Sequence, residues 1–144
     1  MDMLKLVALD ADDLNVVSAH MQDAVLKAGD IAFWPKENRF AIIARRFDWE
    51  GHDAGENRRR LAGLQFGRVT RAQAHALAPA EKERVLNLLS VTFTPAAPDA
   101  PEGEITLTFS DGAAMRLAVE CIEAQLTDLG PVWEAAGAPA HPGA

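Results

Sequence analysis

DIAFWPKENRFAIIARRFDW, Asp30 to Trp49, is the stretch whose reading decides the fold. Two apolar runs flank a polar turn, the pattern of a β-hairpin. In an extended chain Ile31 and Phe33 point one way and Ala32 and Trp34 the other. Pro35 lacks an N–H, so the first strand stops there or runs at an edge. Lys36, Glu37 and Asn38 supply the turn, with Asn38 the most tolerant of positive φ. In the returning run FAIIARRF, Phe40, Ile42 and Ala44 share one face, and Ala41, Ile43 and Arg45 the other. Apolar residues on both faces predict a strand partly covered on each side. Beyond Phe47 the composition, including Asp48, Gly51, Asp53 and Asn57, is that of a loop.

Working outward, the chain before the hairpin opens on the apolar run MLKLVAL, either a strand or a lead-in. Asp10 suits a helix N-cap, with Asp12 and Asp13 well placed in the first turn. Leu14, Val17, Met21 and Val25 then recur at helical spacing, which predicts a helix over about 11–24. Val25, Lys27, Gly29, Ile31 and Phe33 also fit an alternation, so the first hairpin strand could equally start near Val25.

After the hairpin, Gly63 to Gly67 alternates as a strand, its glycines suggesting a bulge or a close backbone approach. Residues 68–77 lean towards strand, 79–83 to a turn, and VLNLLSVTF (85–93) to a central strand. PAAPDAP (95–101) is a surface loop. Residues 104–120 read as a second hairpin turning at Ser110-Asp111-Gly112. Past Cys121 the spacing of Ile122, Leu126 and Leu129 predicts a short C-terminal helix, ended by Gly130 and Pro131. Residues 132–144 are rich in Ala, Pro and Gly and read as a flexible tail to a single domain over 1–131. The expected architecture is therefore α+β: an antiparallel sheet of about six strands with an N-terminal helix and a short C-terminal helix. A bent sheet of that kind resembles a pleckstrin-homology-type half-barrel, by analogy alone.

The chain has 144 residues, a hydrophobic share of 49% and one cysteine. That composition supports a globular core and excludes a disulfide framework. No signal-peptide pattern opens the sequence and no apolar run is long enough to span a membrane, so a cytoplasmic location is expected. The net charge of −7 is unevenly spread. Lys36 to Arg84 holds eleven basic and seven acidic residues, net +4; the remainder holds three and fourteen, net −11. This polarity is the main functional signal.

The segments ALDADDLNVVSAHMQDAV, RFAIIARRFDWE and LTFSDGAAMRLAVECIEAQLTDLGPVWE resemble an uncharacterised alphaproteobacterial family, domain of unknown function 2948. The resemblance covers nearly the whole chain. The family carries no assigned activity, so the resemblance transfers no catalytic residues. It implies a bacterial cytosolic protein.

Metal chemistry finds little support, since His20, His52, Asp53 and His75 match no ligand spacing. Cys121 sits where the pattern changes from strand to helix, a position that can activate a thiol, but a lone cysteine there reads first as core packing. There is no nucleophile elbow and no phosphate-binding loop. The sequence therefore implies no catalytic residue, no metal and no cofactor. What stands out is an arginine cluster: Arg45 and Arg46 end one strand and Arg58, Arg59 and Arg60 begin the next. If the connection is a hairpin, the two groups meet at its base, where carboxylates or a bound anion must relieve their repulsion. Asp48, Glu50, Asp53 and Glu56 lie between them, and Trp34 and Trp49 are near in sequence. The reading favoured is a non-catalytic binding or adaptor domain that presents Arg45, Arg46, Arg58, Arg59, Arg60, Trp34 and Trp49 to an acidic protein or a second copy. RNA or a small anion on the same surface is the alternative, and an enzyme with an unfamiliar site comes last.

Overall fold

A computed structural model of the chain describes residues 3–47 and 58–134. The elements in order are β1 (Lys5–Ala8), α1 (Ala11–Met21), β2 (Ala24–Lys27), β3 (Ile31–Trp34), β4 (Arg39–Phe47), β5 (Arg58–Phe66), β6 (Val69–His75), β7 (Val85–Pro95), β8 (Gly103–Phe109), β9 (Ala114–Val119) and β10 (Ala124–Glu134). All ten strands belong to one antiparallel sheet, ordered β1-β10-β5-β4-β2-β7-β8-β9-β6, with β3 also paired to β4.

This corrects the expectation of about six strands with a C-terminal helix. Ile122, Leu126 and Leu129 do sit at helical spacing, yet the segment is strand β10. Ala124, Leu126 and Asp128 turn into the core, while Gln125 and Thr127 are half-buried and Leu129 is exposed on the other face. That is period 2. Gly130 and Pro131, read as helix terminators, sit at an irregularity in the β10–β5 ladder between Asp128 and Val132. A polar inward residue, Asp128, hid the alternation. The half-barrel analogy rested on that C-terminal helix and falls with it. Residues 132–134, assigned by composition to the tail, pair with Arg60, Arg59 and Arg58. Residues 135–144 lie outside the described residues.

The hairpin read over 30–49 forms over the described residues, from Ile31 to Phe47. β3 and β4 pair in register from Ile31↔Ile42 to Trp34↔Arg39. The turn is a short 3-10 segment started by Pro35 and closed by Asn38 at φ 53, the left-handed conformation that asparagine tolerates. Before the hairpin, β2 meets β4 only at Val25↔Arg45 and then leaves to pair with β7 over four residues. The sheet therefore opens as a wedge between β4 and β2.

At the other side, β5 runs into β6 and β9 into β10 around one corner. Backbone bonds hold it: Gly67 N donates to Glu123 O at 2.9 Å and Glu120 N to Arg68 O at 3.1 Å. The two halves of the sheet share one apolar core, built from Phe40, Ile42, Leu64, Phe66, Leu88, Ile105, Leu107, Phe109 and Leu117 among others.

Helix α1 closes that core by laying Leu14, Val17 and Met21 inward, chiefly against β7. Ser18 Oγ accepts from Val91 N at 2.9 Å, just past an irregularity in the β7–β8 ladder between Leu88 and Ser90. Asp10 caps the helix, its carboxylate accepting from Asp13 N at 2.8 Å. Replacing Asp10 with alanine removes that acceptor and costs about 1 kcal/mol of stability. Urea denaturation reads the loss, and an unchanged midpoint would show that the cap contributes nothing.

Candidate functional site

Strand alternation splits the arginine cluster. On β4, Phe40, Ile42, Ala44 and Arg46 face the core, whereas Arg39, Ala41, Ile43 and Arg45 face outward. On β5, Arg60, Ala62, Leu64 and Phe66 face the core, and Arg59, Leu61, Gly63 and Gln65 face outward. Two adjacent arginines on a strand cannot both be surface groups when one face is buried.

Arg46 is 1% exposed and lies against the Asp128 carboxylate. Its Nε donates to Oδ1 at 2.8 Å and its Nη2 to Oδ2 at 2.9 Å, a bidentate pair. Its Nη1 also donates to Phe47 O at 3.2 Å. Arg60, also buried, places Nε 3.9 Å from Asp128 Oδ2. The same Oδ2 accepts from Leu4 N at 2.7 Å, and Asp128 N donates to Leu4 O at 2.9 Å. The carboxylate thus joins β4, β5, β10 and the lead-in to β1. Such a buried ion cluster organises the fold and is not presented to a partner.

Arg59 stays at the surface but is engaged within the chain. Its Nη1 donates to Asp23 O and Arg45 O, both at 3.2 Å, and its guanidinium lies 5.8 Å from the centre of the Phe47 ring. Burial pulls its pKa below the ordinary arginine value, and the Asp23 charge opposes that pull. Arg45 is exposed and has contacts inside the chain. Arg58 pairs through its backbone with Glu134. Trp49 lies outside the described residues, as do Asp48, Glu50, Asp53 and Glu56, the carboxylates expected to relieve the cluster.

Trp34 lies at the surface. It is 43% exposed on the outer face, beside Ile43 at 44% and Leu129 at 50%. These side chains border a shallow depression of about 220 Å³, together with Arg39, Gly63 and Thr127. Gly63 leaves room for the depression: a Cβ there would stand 3.2 Å from Leu129 Cδ1, close enough that the Leu129 side chain would have to shift by a few tenths of an ångström. Ile43 also borders the wedge between β4 and β2, a cavity of about 420 Å³ whose wall includes Val25, Leu61 and Val85. Ile43 and Leu129 were not singled out from the sequence. Their signal was present in the two-faced apolar pattern of β4, which predicted cover on both sides; among the described residues none covers the outer side.

The face is also electrostatically one-sided. Among the residues of β1–β5 and β10 whose side chains are described, Asp128 is the one carboxylate, and it points inward. Lys5, Lys27, Arg39 and Arg45 are exposed on these strands. Lys27 is paired with Glu83 at 2.9 Å, and Arg39 Nη1 donates to Gln65 Oε1 at 2.7 Å.

Among the described residues, no group of three or more His, Cys, Asp or Glu side chains is placed to hold a metal ion. No described helix is long and apolar enough to cross a membrane. Cys121, half-buried, sits at the β9–β10 corner and not at a helix start.

No curated protein and no solved structure matches the chain. Residues 4–141 match the model of the family described as protein of unknown function (DUF2948), and the chain belongs to that family.

Proposed function

We propose that the protein is a non-catalytic binding module whose working surface is the outer face of β3, β4, β5 and β10, and that its partner is a protein. The observation that supports this most is the cluster of Trp34, Ile43 and Leu129 around one depression, each at least 43% exposed. Large apolar side chains scattered singly on a surface need no explanation, but three around one concavity mark an interaction site. Tryptophan is the residue that most often anchors such interfaces. The basic flank, Lys5 and Arg39, adds positive charge beside the depression. Arg46 and Arg60 are spent on Asp128 and do not contribute to it.

Capture with the tagged protein from an extract of its source cells, analysed for protein and RNA together, tests this reading. Ile43→Glu places a charge at the centre of the face, at a site where the side chain already meets solvent. The expected result is that partner yield falls at least about tenfold while stability falls by no more than about 1 kcal/mol. A partner retained at full yield by the folded Ile43→Glu variant would remove the face from consideration. RNA recovered in place of protein would favour the anion-binding alternative.

A further inference from the structure

Resting on that binding reading, we infer that the segment docked on this face is an acidic amphipathic helix. Three observations lead there. The depression lies over interior strands, while among the described residues β3, which carries Trp34, has a free outer edge and β4 beyond Ile42 meets β2 only at Arg45. β5 lies between β10 and β4, and β4 between β5 and β3 over residues 39–42. Their backbone N–H and C=O groups are taken up in ladders. An extended peptide laid across the depression would pair with neither β4 nor β5 there, and its own backbone groups would be buried unsatisfied. A helix satisfies its backbone internally and brings only side chains to the contact.

The dimensions agree. Four strands, β3 to β10, set a patch about 14 Å wide, and Arg39 to Arg45 runs about 20 Å along β4. A helix with side chains is about 10–12 Å across, and about four turns cover 20 Å. The row Ile43↔Gly63↔Thr127↔Lys5 shows how the face is graded. An apolar side chain stands at one side, a glycine makes the hollow, and a lysine closes the far side. Arg39, paired with Trp34, closes the hairpin end.

Charge supplies the sign. No carboxylate is found at the outward positions of these strands among the described side chains, in a chain of net charge −7. The acidic residues lining the neighbouring wedge are Asp30 and Glu83, Glu83 is already paired with Lys27, and Glu37 stands in the turn beyond Trp34. A helix with apolar residues at spacings of three and four, flanked by Asp and Glu, meets Trp34, Ile43 and Leu129 with its apolar stripe and Lys5 and Arg39 with its flanks. A second copy of the chain is disfavoured, because two such faces would oppose like charges across the contact.

The test is photocrosslinking with benzoylphenylalanine in place of Thr127, in the full chain, added to extract of the source cells. The crosslinked segment is identified by mass spectrometry. The expected product is a protein segment of net negative charge with apolar residues at helical spacing. Its yield should fall at least about tenfold in a Lys5→Glu/Arg39→Glu chain, with circular dichroism run alongside to check that this chain is folded. A neutral or basic segment, a segment without helical spacing, RNA, or a second copy of this chain would overturn the inference. So would absence of any crosslink when capture still yields an Ile43-dependent partner, and in that case the binding reading stands. Absence of both overturns the two together.

Discussion

Asp128→Asn should lower the free energy of unfolding by about 3–5 kcal/mol, the largest loss expected from any near-isosteric change in this chain. The reason is local. Asp128 is buried, its side chain fully, and carries the negative charge opposite Arg46 and Arg60. Asparagine keeps the shape but removes the charge, and it turns an N–H₂ toward groups that are themselves only donors. Two guanidinium groups are then left in a low-dielectric site without that carboxylate, and Leu4 N loses a strong acceptor at 2.7 Å. Against a typical total of about 5–15 kcal/mol, this is a large share. Urea unfolding followed by tryptophan fluorescence reads it as a shift in midpoint at constant slope. Arg45→Ala, at the exposed neighbour of Arg46, should stay within about 1 kcal/mol of wild type. If Asp128→Asn were equally mild, the buried cluster would not hold the strands as described.

Phe40→Ala should cost about 3–5 kcal/mol. Phe40 is fully buried in β4, opposite Phe66 of β5, with ring centroids 6.2 Å apart and planes tilted by 49°. The pair sits where the hairpin meets the corner between β5 and β6, so the cavity left by truncation is bounded by strands from several ladders and cannot collapse easily. Phe40→Leu, which fills most of the volume, should lose markedly less. A calorimetric comparison of the two variants checks this, and equal destabilisation would point to a role for the ring beyond filling space.

How much of this was legible beforehand follows from where period 2 stood clear. The hairpins over 31–47 and 103–119 are readable because apolar residues alternate on both sides of turn residues that adopt positive φ, Asn38 and Asp111. Helix α1 was readable from Asp10 and from the inward Leu14, Val17 and Met21, although it stops at Met21 and not at 24. Strand β10 was misread because its inward positions include Asp128, a charge no local pattern places in a core. Its partners, Arg46 and Arg60, lie 82 and 68 positions away in sequence. The same long-range pairing hid the fate of the arginine cluster. Alternation alone implied that one arginine of each adjacent pair faces inward, but only the sheet order shows which carboxylate meets them. Arg45 and Trp34 remain at the surface as the sequence suggested, while the apolar centre of the face, Ile43 and Leu129, required knowing that nothing within the described chain covers it.

The central claim, that this outer face is the working surface, is tested most directly by hydroxyl-radical footprinting of the purified protein with and without extract of its source cells. Trp34, Ile43 and Leu129 report on the face, while Val16 on α1 and Leu89 on β7 are comparably exposed and serve as references. The account predicts that extract protects the first three residues and leaves Val16 and Leu89 as reactive as before. Unchanged reactivity at Trp34, Ile43 and Leu129, or protection confined to Val16 or Leu89, would contradict it.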